Sequence, residues 1–255
     1  MSENVVIIVQ ARLGSTRLPG KILKSLNGYP VLEHVLERCA VILGKHNVVC
    51  AGVDKPEEAP VRELAEKLGF EFYAGSELDV LARYYHAAKR RGAEWVVRVT
   101  SDCPLLDPQV CRGLIEEALR RRADFGITSG WPHGLDCEVM TFELLQRSHF
   151  SATSRDDREH VTLWAKRAEG VDRFEFQPEQ RIVNLEQYRW VLDYPEDYQF
   201  LQCLAQHMDL RPGCPVSYRE VLAFLQGHRE WLEINRKRIE DWSEIQRRLL
   251  SSDNS

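Results

Sequence analysis

The first half of the chain alternates between apolar runs of strand length and amphipathic stretches with the period of a helix. The five apolar runs cover residues 4–9, 47–53, 70–75, 94–100 and 123–129. Helical patterns separate the first four runs, at residues 30–43, 59–69 and 77–92. Strands that alternate with helices of this length form βαβ units, whose strands lie parallel in one sheet. The pattern therefore predicts an α/β fold around a mostly parallel sheet.

The pattern changes after Ser129, where strand and helix signals no longer alternate regularly. We expect a strand over residues 134–142, with a short helix directly behind it. Residues 156–168 have the periodicity of a helix, and Asp156 or Asp157 is a suitable N-cap for it.

The sequence pattern of the last quarter of the chain predicts mainly helix. Residues 188–207 predict a strand, a turn and a helix that begins near Pro195, and the pattern from Pro212 onward is helical. One face of the final predicted helix carries Trp231, Ile234, Arg238, Trp242, Ile245 and Leu249. Five of these six side chains are apolar, so we expect this stripe to pack on the rest of the chain rather than on a partner.

Composition narrows the class of protein. The chain has 255 residues, of which 44% are hydrophobic and 29% charged, as in ordinary globular proteins. Its net charge of −5 argues against a general nucleic-acid surface or an anionic membrane surface. We find no signal peptide and no apolar run that could span a bilayer. The seven cysteines include no C-x-x-C pair, which argues against a disulfide framework or structural zinc site and for the reducing cytoplasm.

The loop after the first predicted strand has the composition of a phosphate-binding loop. It reads "VQARLGSTRLPGKIL" over residues 9–23 and contains Arg12, Arg17 and Lys21. Gly14 allows backbone N–H groups to approach an anion closely, and Arg and Lys bind phosphate as a planar fork and a point charge. Ligands of α/β sheets bind at the carboxyl ends of the strands, so this placement favours phosphate binding over a merely solvated basic loop.

The loop nevertheless matches neither of the two common phosphate-binding motifs. Gly14 and Gly20 enclose five residues where a Walker A motif has four, and Ile22 stands at the position of its Ser or Thr. The dinucleotide pattern G-x-G-x-x-G is absent as well, because no glycine lies two residues after Gly14. The chemistry of the loop therefore has to be read from its individual residues.

Two aspartates are candidates for binding Mg²⁺, which accompanies nucleoside triphosphates and prefers oxygen ligands. Asp102 follows the apolar run "VVRVT", and Asp193 ends the run "WVLD". We interpret two neighbouring carboxylates as structural instead. Asp107 before a proline is a suitable helix N-cap, and Asp197 lies just inside the following helix, where an acid suits the helix dipole.

Three more polar residues lie in the second half of the chain. Asp136 and Glu138 are two residues apart on a predicted strand, so their side chains share one face. Buried there, they could bind a polar substrate or pair with arginine, whereas on an exposed edge strand they would carry no function. His160 could orient an acceptor or shuttle a proton, or it could only bond a backbone carbonyl within a helix.

Six segments, taken in this order, resemble one enzyme family. They are "ARLGSTRLPGK", "ELDVLARYY", "TSDCPLLDP", "GLDCEV", "DREHVT" and "LDYPEDY". The chain is similar to the nucleotide-sugar cytidylyltransferases, which make CMP-activated acylneuraminate and 3-deoxy-octulosonate. It is most similar to the branch named after the spore coat polysaccharide biosynthesis protein F. The resemblance covers roughly residues 5–201, and the segment "REWLEINRKRIE" also looks like that branch.

The resemblance implies a Rossmann-like α/β domain of the nucleotide-diphospho-sugar transferase type, CTP as donor, a small-molecule acceptor and Mg²⁺ as cofactor. It also implies a homodimer. We expect the nucleotidyltransferase domain at residues 1–210, with acceptor binding and dimerisation at 130–190, and a helical extension at 211–255.

The same resemblance assigns roles to individual residues. Nucleotide binding falls to Ala11, Arg12, Gly14, Ser15, Lys21, Ser76, Asp79, Arg83 and Asp102. Catalysis falls to Arg12, Arg17, Lys21, Asp102 and Asp193, of which Asp102 and Asp193 are the metal ligands. The segments in which the family binds its acceptors contain Asp136, Glu138, Glu159 and His160. Because these last motifs belong to the branch, the acceptor need not be a nonulosonic acid.

The expected reaction is nucleotidyl transfer, in which an acceptor hydroxyl attacks the α-phosphorus of CTP and pyrophosphate leaves. Positioning and charge neutralisation would carry the rate. A glycosyltransferase of related fold is the nearest alternative, although "SDCP" stands where such enzymes have a D-x-D pair. A non-catalytic binding module and a cytidylyltransferase for a non-sugar acceptor, such as a phosphonate, are further alternatives.

Overall fold

The apolar runs predicted as strands form the centre of a seven-stranded sheet. The structure is a computed structural model that describes residues 3–239 and 241. The strands of this sheet are β1 (Val5–Gln10), β4 (Val48–Val53), β5 (Glu71–Gly75), β6 (Trp95–Thr100), β7 (Phe125–Thr128), β8 (Glu138–Thr141) and β9 (Arg173–Phe176). Two short strands, β2 (Ser25–Leu26) and β3 (Tyr29–Pro30), form a separate antiparallel pair.

The strand order is β5-β4-β1-β6-β8-β7-β9. Strand β1 lies parallel to both β4 and β6, and Ile7 pairs with Val48 on one side and Val97 on the other. Strand β8 runs antiparallel between β6 and β7, and β9 pairs in parallel with β7. The sheet is therefore mostly parallel, as predicted, and the carboxyl ends of β1, β4 and β6 meet at one edge.

Nine α-helices surround the sheet in the described part of the chain. They are α1 (Val31–Leu43), α2 (Ala59–Lys67), α3 (Val80–Arg90), α4 (Pro108–Arg121), α5 (Phe142–Ser151), α6 (Arg155–His160), α7 (Leu163–Arg167), α8 (Pro195–His207) and α9 (Tyr218–Gly227). Asp107 caps α4 as predicted, since its carboxylate accepts the N–H groups of Gln109 and Val110.

The two faces of the sheet bury separate apolar cores, because successive side chains of a strand point to opposite faces. Ile7 and Val9 belong to the core beneath α1, α2 and α4. Val6 and Ile8 belong to the core beneath α3, α5 and α7. A third core joins α8 and α9 to the segment around Trp190.

Three predictions about the second half are wrong: the strand at residues 188–193, the single helix over 156–168, and the choice of Asp156 or Asp157 as its N-cap. Residues 188–193 form no strand, and only an isolated bridge between His133 and Arg189 is present there. The single helix predicted over 156–168 is two helices, α6 and α7, and Ser154 caps the first of them. Between them Val161 has φ +59° and ψ −54°, a conformation that interrupts a helix.

The C-terminal prediction holds only in part. Helix α9 is present, but a 3₁₀ turn (Arg229–Glu233) follows it where the sequence pattern predicted a continuous helix. Trp242, Ile245 and Leu249 lie outside the described residues. Strand β9 was not predicted. Its charged residues alternate with phenylalanines as in a strand, but the segment has only four residues and lies at the sheet edge.

The cysteines are free, and five of the seven are buried in the cores, where they act as small apolar residues. Among the described residues, every helix is too short or too polar to cross a lipid bilayer.

Gly134 allows two segments to lie against each other near the carboxyl edge of the sheet. Its φ is +111°, and a Cβ atom there would lie 2.6 Å from the carbonyl carbon of Trp190. The two segments are joined by hydrogen bonds from Trp190 N to His133 O (2.6 Å) and from His133 N to Tyr188 O (3.3 Å). Any side chain at position 134 would push these segments apart.

We therefore expect Gly134→Ala to lower the free energy of unfolding by about 2–4 kcal/mol, through backbone strain and overlap. Urea denaturation measures this loss. Gly227→Ala is the matched control, because nothing lies within 4 Å of a Cβ atom there, and its effect should stay within about 0.5 kcal/mol. An equally small effect of Gly134→Ala would contradict the close approach.

Candidate active site

The loop after β1 is anchored at several points and keeps its cations at the edge of the sheet. Gly20, with φ +64°, donates its N–H to Leu13 O at 3.3 Å. The N–H of Leu13 in turn donates to the carboxylate of Glu58 at 2.9 Å. Leu18 and Ile22 are buried and hold the loop to the protein. The backbone of this loop is therefore fixed, while its basic side chains line a cleft.

A cleft of about 610 Å³ lies above the carboxyl ends of β1 and β6. Eleven of the residues predicted for the site line it, namely Ala11, Arg12, Gly14, Ser15, Arg17, Lys21, Arg83, Asp102, Glu159, His160 and Asp193. Ser76, Asp79, Asp136 and Glu138 do not line it. The structure thus brings the predicted phosphate loop and both predicted metal ligands into one cleft.

Lys21 joins the two predicted metal ligands. Its Nζ donates to Asp102 Oδ2 at 2.6 Å and to Asp193 Oδ1 at 2.9 Å. Arg17 Nη2 lies 2.9 Å from the same oxygen of Asp193. The Lys21 side chain is only 13% exposed, so water screens these interactions weakly. We call Lys21, Asp102 and Asp193 the carboxylate–lysine centre.

A buried ion pair holds Asp193 in place. Arg189 Nη2 lies 3.2 Å from Asp193 Oδ2, and Arg189 also makes two hydrogen bonds to the buried carboxylate of Asp197, at 2.9 and 3.0 Å. Asp197 further accepts the N–H groups of Asp193 (3.1 Å) and Tyr194 (3.0 Å) at the start of α8. Asp197 therefore has the structural role predicted for it, and it also orients Asp193.

The two metal candidates reach the centre by different routes. Asp102 follows β6, as predicted, and its backbone carbonyl accepts the N–H of Leu192 at 2.8 Å. Asp193 follows no strand; it directly precedes the N-cap of α8, Tyr194. Asp193 was predicted at the end of a strand that begins at residue 188, and that prediction is wrong. The hydrogen bond from Leu192 brings the two segments together instead.

The charges of the centre change the pKa values of Asp193 and Lys21. Burial alone would raise the pKa of Asp193, but Lys21 and Arg17 outweigh it and lower that pKa to about 2. Burial alone would lower the pKa of Lys21, but Asp102 and Asp193 outweigh it and the net shift is upward. Asp193 and Lys21 are therefore both charged at neutral pH.

The structure separates the two carboxylates that were predicted to share a strand face. Strand β8 begins at Glu138, so Asp136 precedes it, and its half-exposed carboxylate accepts the N–H of Gly134 at 2.8 Å. Glu138 is 5% exposed and bonds Arg98 (2.9 Å) and Lys166 (2.6 Å). Burial opposes ionisation of Glu138, but these two cations hold its pKa below the ordinary value. Glu138 is thus a buried partner of cations.

Arg98 is a cleft residue that sequence reasoning missed. It lies on β6 and lines the cleft while one of its nitrogens bonds Glu138. A single arginine within an apolar run was the only available signal, and its partner could not be known before the register of β8.

Two predicted nucleotide residues lie outside the cleft lining. Asp79 caps α3 by accepting the N–H of Ala82 at 2.9 Å, and its carboxylate also binds Arg158 Nε at 2.9 Å. Ser76 accepts the N–H of Asp79 at 3.1 Å. Both side chains therefore stabilise the start of α3, which positions Arg83 in the cleft.

Glu159 and His160 stand opposite the phosphate loop. Glu159 lies 3.7 Å from Arg12 across the cleft. His160 precedes a classic γ-turn, in which Thr162 N donates to His160 O at 2.6 Å around Val161. Thr162 also donates its hydroxyl to Glu138, at 3.1 and 3.2 Å. Through this hydrogen bond the buried Glu138 fixes the turn that holds His160 at the cleft.

A second cavity, of about 680 Å³, lies beyond Arg189. Its lining includes Trp131, His133, Asp136, Arg181, Asn184 and Arg189. Arg189 lines this cavity, where its Nη1 lies 3.3 Å from His133 Nδ1. The same side chain also contacts Asp193 through its Nη2. The second cavity therefore adjoins the carboxylate–lysine centre through Arg189, which contacts Asp193.

Comparison with known proteins identifies the family. The sequence model of the cytidylyltransferase family matches residues 6–220. The chain belongs to this family. The spore coat polysaccharide biosynthesis protein SpsF of Bacillus subtilis is 30% identical to it over 228 residues, which are 88% of this chain and 94% of that protein.

Solved structures agree with the family and the fold. A cytidylyltransferase from Leptospira borgpetersenii is 28% identical and superimposes with a TM-score of 0.83, over 90% of this chain and 97% of that one. A CMP:2-keto-3-deoxy-manno-octonic acid synthetase in complex with CTP is 17% identical, with a TM-score of 0.63 over 82% of this chain and 100% of that one. The latter shows the fold alone.

These findings confirm the predicted family, fold class and enzyme class. The chain is a CTP-dependent nucleotidyltransferase. The two rival classes, a glycosyltransferase and a non-catalytic binding module, are thereby disfavoured. The roles of individual residues in the cytidylyltransferase cleft remain predictions.

The lowered pKa of Asp193 makes stability depend on pH. Its folded-state pKa of about 2 lies below the unperturbed value of 3.8. The ionised side chain therefore stabilises the fold above the higher value, and this contribution is lost as the pH falls through the lower one.

We expect the difference in unfolding free energy between wild type and Asp193→Asn to shrink by about 2 kcal/mol from about pH 5 to about pH 2. Urea denaturation at several pH values measures this difference. Asp54→Asn serves as a control, because Asp54 lies 3.9 Å from Arg62 at the surface and its side chain is 76% exposed. A difference for Asp193→Asn that stays constant over this range would contradict the ionised centre.

Proposed function

We propose that this enzyme transfers CMP from CTP to the hydroxyl of a sugar or sugar acid and releases pyrophosphate, in cell-surface polysaccharide biosynthesis. The observation that carries the proposal is the carboxylate–lysine centre, which lies at the end of an arginine-containing loop inside one cleft. The relative SpsF and the synthetase solved with CTP support the choice of acceptor class and nucleotide.

The cleft has the charge to hold a triphosphate. Arg12, Arg17 and Lys21 bring three cations to one wall, and Gly14 leaves the loop backbone open to an anion. Arg83 is buried beside it and donates to the carbonyl of Ala51 at 3.3 Å. We assign the phosphates to the loop and the nucleoside to the part of the cleft next to Arg83.

The two aspartates fit Mg²⁺. One oxygen of Asp102 and one of Asp193 converge on a single ammonium group, and carboxylate oxygens are the ligands that this ion prefers. Residues 3–239 and 241 contain no group of three or more His, Cys, Asp or Glu side chains arranged for a metal. Water and phosphate would therefore complete the coordination, as is usual for Mg²⁺. When bound, the ion would supply positive charge to the transferring phosphate.

The chain's own residues would then position the reactants and stabilise charge. The acceptor hydroxyl attacks the α-phosphorus, the bond to the β-phosphate breaks, and pyrophosphate leaves. Lys21 and Arg17 would neutralise the negative charge that builds up on the leaving group. Arg189 and Asp197 act through Asp193 by fixing its orientation, so they are positioning residues.

We place the acceptor on the side of the second cavity. This cavity borders Asp193 through Arg189, and its lining offers the carboxylate of Asp136, the amide of Asn184 and the ring of Trp131. Such groups suit a polyhydroxylated molecule, which needs both donors and acceptors and an apolar surface. Of the other predicted acceptor residues, Glu159 and His160 lie in the cleft. Glu138 does not line it and acts through its contacts to Thr162 and to the cleft residue Arg98.

We also propose that the protein is a homodimer formed through residues 130–190 of the nucleotidyltransferase domain (1–210), with residues 211–255 as an extension. Phe150 and Val183 in this region are 71% and 74% exposed, which is unusual for large apolar side chains.

The reaction is tested by pyrophosphate release from the four nucleoside triphosphates, each combined with a panel of sugars, sugar acids and phosphonates. We expect release with CTP and a sugar or sugar acid, and much less with UTP. Asp102→Asn and Asp193→Asn should each remove most of the activity, because each keeps the side-chain shape and loses the charge. Asp209→Asn provides a surface control with unchanged rate. Equal release from UTP, or release only with a phosphonate, would contradict the proposal.

The acceptor position is tested separately by Asp136→Asn. We expect the KM for the acceptor to rise about tenfold, as for the loss of one charged hydrogen bond, while the KM for CTP stays unchanged. Steady-state kinetics with the acceptor found in the panel measure both constants. Asp124→Asn, on the far side of the sheet, is the control. A change in the KM for CTP alone would place Asp136 at the nucleotide instead.

A further inference from the structure

Lys21 occupies the position between the two predicted metal ligands. Its ammonium nitrogen lies within 2.9 Å of an oxygen of each aspartate. Arg17 contacts the same oxygen of Asp193 as Lys21 does, and Arg189 contacts the other oxygen. A divalent cation that approached both carboxylates would therefore meet a positive charge in the same space. Such a cation cannot bind there until the ammonium moves away.

The backbone of Lys21 is fixed, but its side chain has a second possible partner. Lys21 begins a 3₁₀ turn (Lys21–Leu23), with N–H to Leu18 O at 3.2 Å, and the next residue, Ile22, is buried. The same lysine also lines the cleft next to Arg17 and Ser15. A triphosphate held by that loop carries more negative charge than two carboxylates, so it would attract the ammonium from Asp102 and Asp193.

We propose that Lys21 is an internal counter-ion that keeps the metal ligands occupied until a triphosphate draws it away. Metal binding at Asp102 and Asp193 then depends on the nucleotide. The device prevents a free metal ion from occupying the centre without its substrate. It also keeps the two carboxylates oriented in the nucleotide-free protein, because one ammonium holds both.

Removal of the Lys21 charge should have opposite effects on metal binding and on nucleotide binding. Without nucleotide, removal of the Lys21 charge should strengthen metal binding, since one like charge leaves the site. Without metal, the same removal should weaken CTP binding, since one phosphate contact is lost. A lysine that served only the structure, or only the phosphates, would not change metal affinity in the upward direction.

The test is a titration of nucleotide-free protein with Mn²⁺, followed by the electron paramagnetic resonance signal of the free ion. Lys21→Ala should bind Mn²⁺ about tenfold or more tightly than wild type, as expected when a like charge leaves a partly buried site. Lys21→Gln keeps the stem and a hydrogen-bond donor, and it should show the same gain if the alanine variant folds poorly. Adding Asp193→Asn to either variant should abolish the gain.

Lys24→Ala is the matched control. Lys24 is three residues further along, and its ammonium lies 5.3 Å from the centre of the Tyr198 ring, away from the aspartates. Its Mn²⁺ affinity should equal that of wild type. In EDTA, calorimetry should show CTP binding to wild type and binding about tenfold weaker to Lys21→Ala, the size of one charged contact.

Two results would overturn the proposal. One is Mn²⁺ binding to nucleotide-free wild type as tight as to both Lys21 variants; the other is CTP affinity in EDTA that Lys21→Ala leaves unchanged. The inference rests on CTP as the nucleotide of the proposed function, but neither titration contains an acceptor. Failure of every acceptor to release pyrophosphate would therefore contradict the transfer reaction alone and leave the two titrations to decide this inference.

Discussion

The ion pairs from Lys21 to Asp102 and Asp193 link three parts of the chain that are far apart in sequence. Lys21 comes from the loop after β1, Asp102 from the end of β6, and Asp193 from the segment before α8. The two carboxylates are partly buried, with side chains 22% and 19% exposed, so either would carry a desolvation cost if it were unpaired. The ammonium offsets part of that cost for both. In the cleft of the cytidylyltransferase, Lys21 therefore both holds these three segments together and balances the charge of the two aspartates.

Several features of the fold together bring Lys21, Asp102 and Asp193 into contact. The parallel order of β1 and β6 brings the loop and Asp102 to one edge, and the hydrogen bond from Leu192 to Asp102 carries the second segment to them. The buried pair of Arg189 and Asp197 then fixes that segment from behind. Because Arg189 also lines the second cavity, the same support connects the nucleotide cleft with the space where we place the acceptor.

The sequence alone predicted the parts of the structure that depend on local pattern. Periodicity and residue type predict the loop cations, the capping role of Asp107 and five strands, namely β1, β4, β5, β6 and β7. The parts that failed depend on tertiary contacts. The break at Val161 is invisible in a helical pattern, because it relies on the hydrogen bond from Thr162 to Glu138. In the same way, the prediction that Asp136 and Glu138 share one strand face required a strand that includes Asp136, but β8 begins only at Glu138.

The central claim is that Asp102 and Asp193 form one metal site whose lysine moves to the triphosphate. Anomalous scattering from a crystal of the protein with CTP and Mn²⁺ tests it most directly. The account predicts one manganese peak or a pair of peaks in contact with both carboxylates, and Lys21 Nζ on the phosphates instead of on the aspartates. Manganese that contacts neither aspartate, while Lys21 still bridges them beside bound CTP, would contradict it.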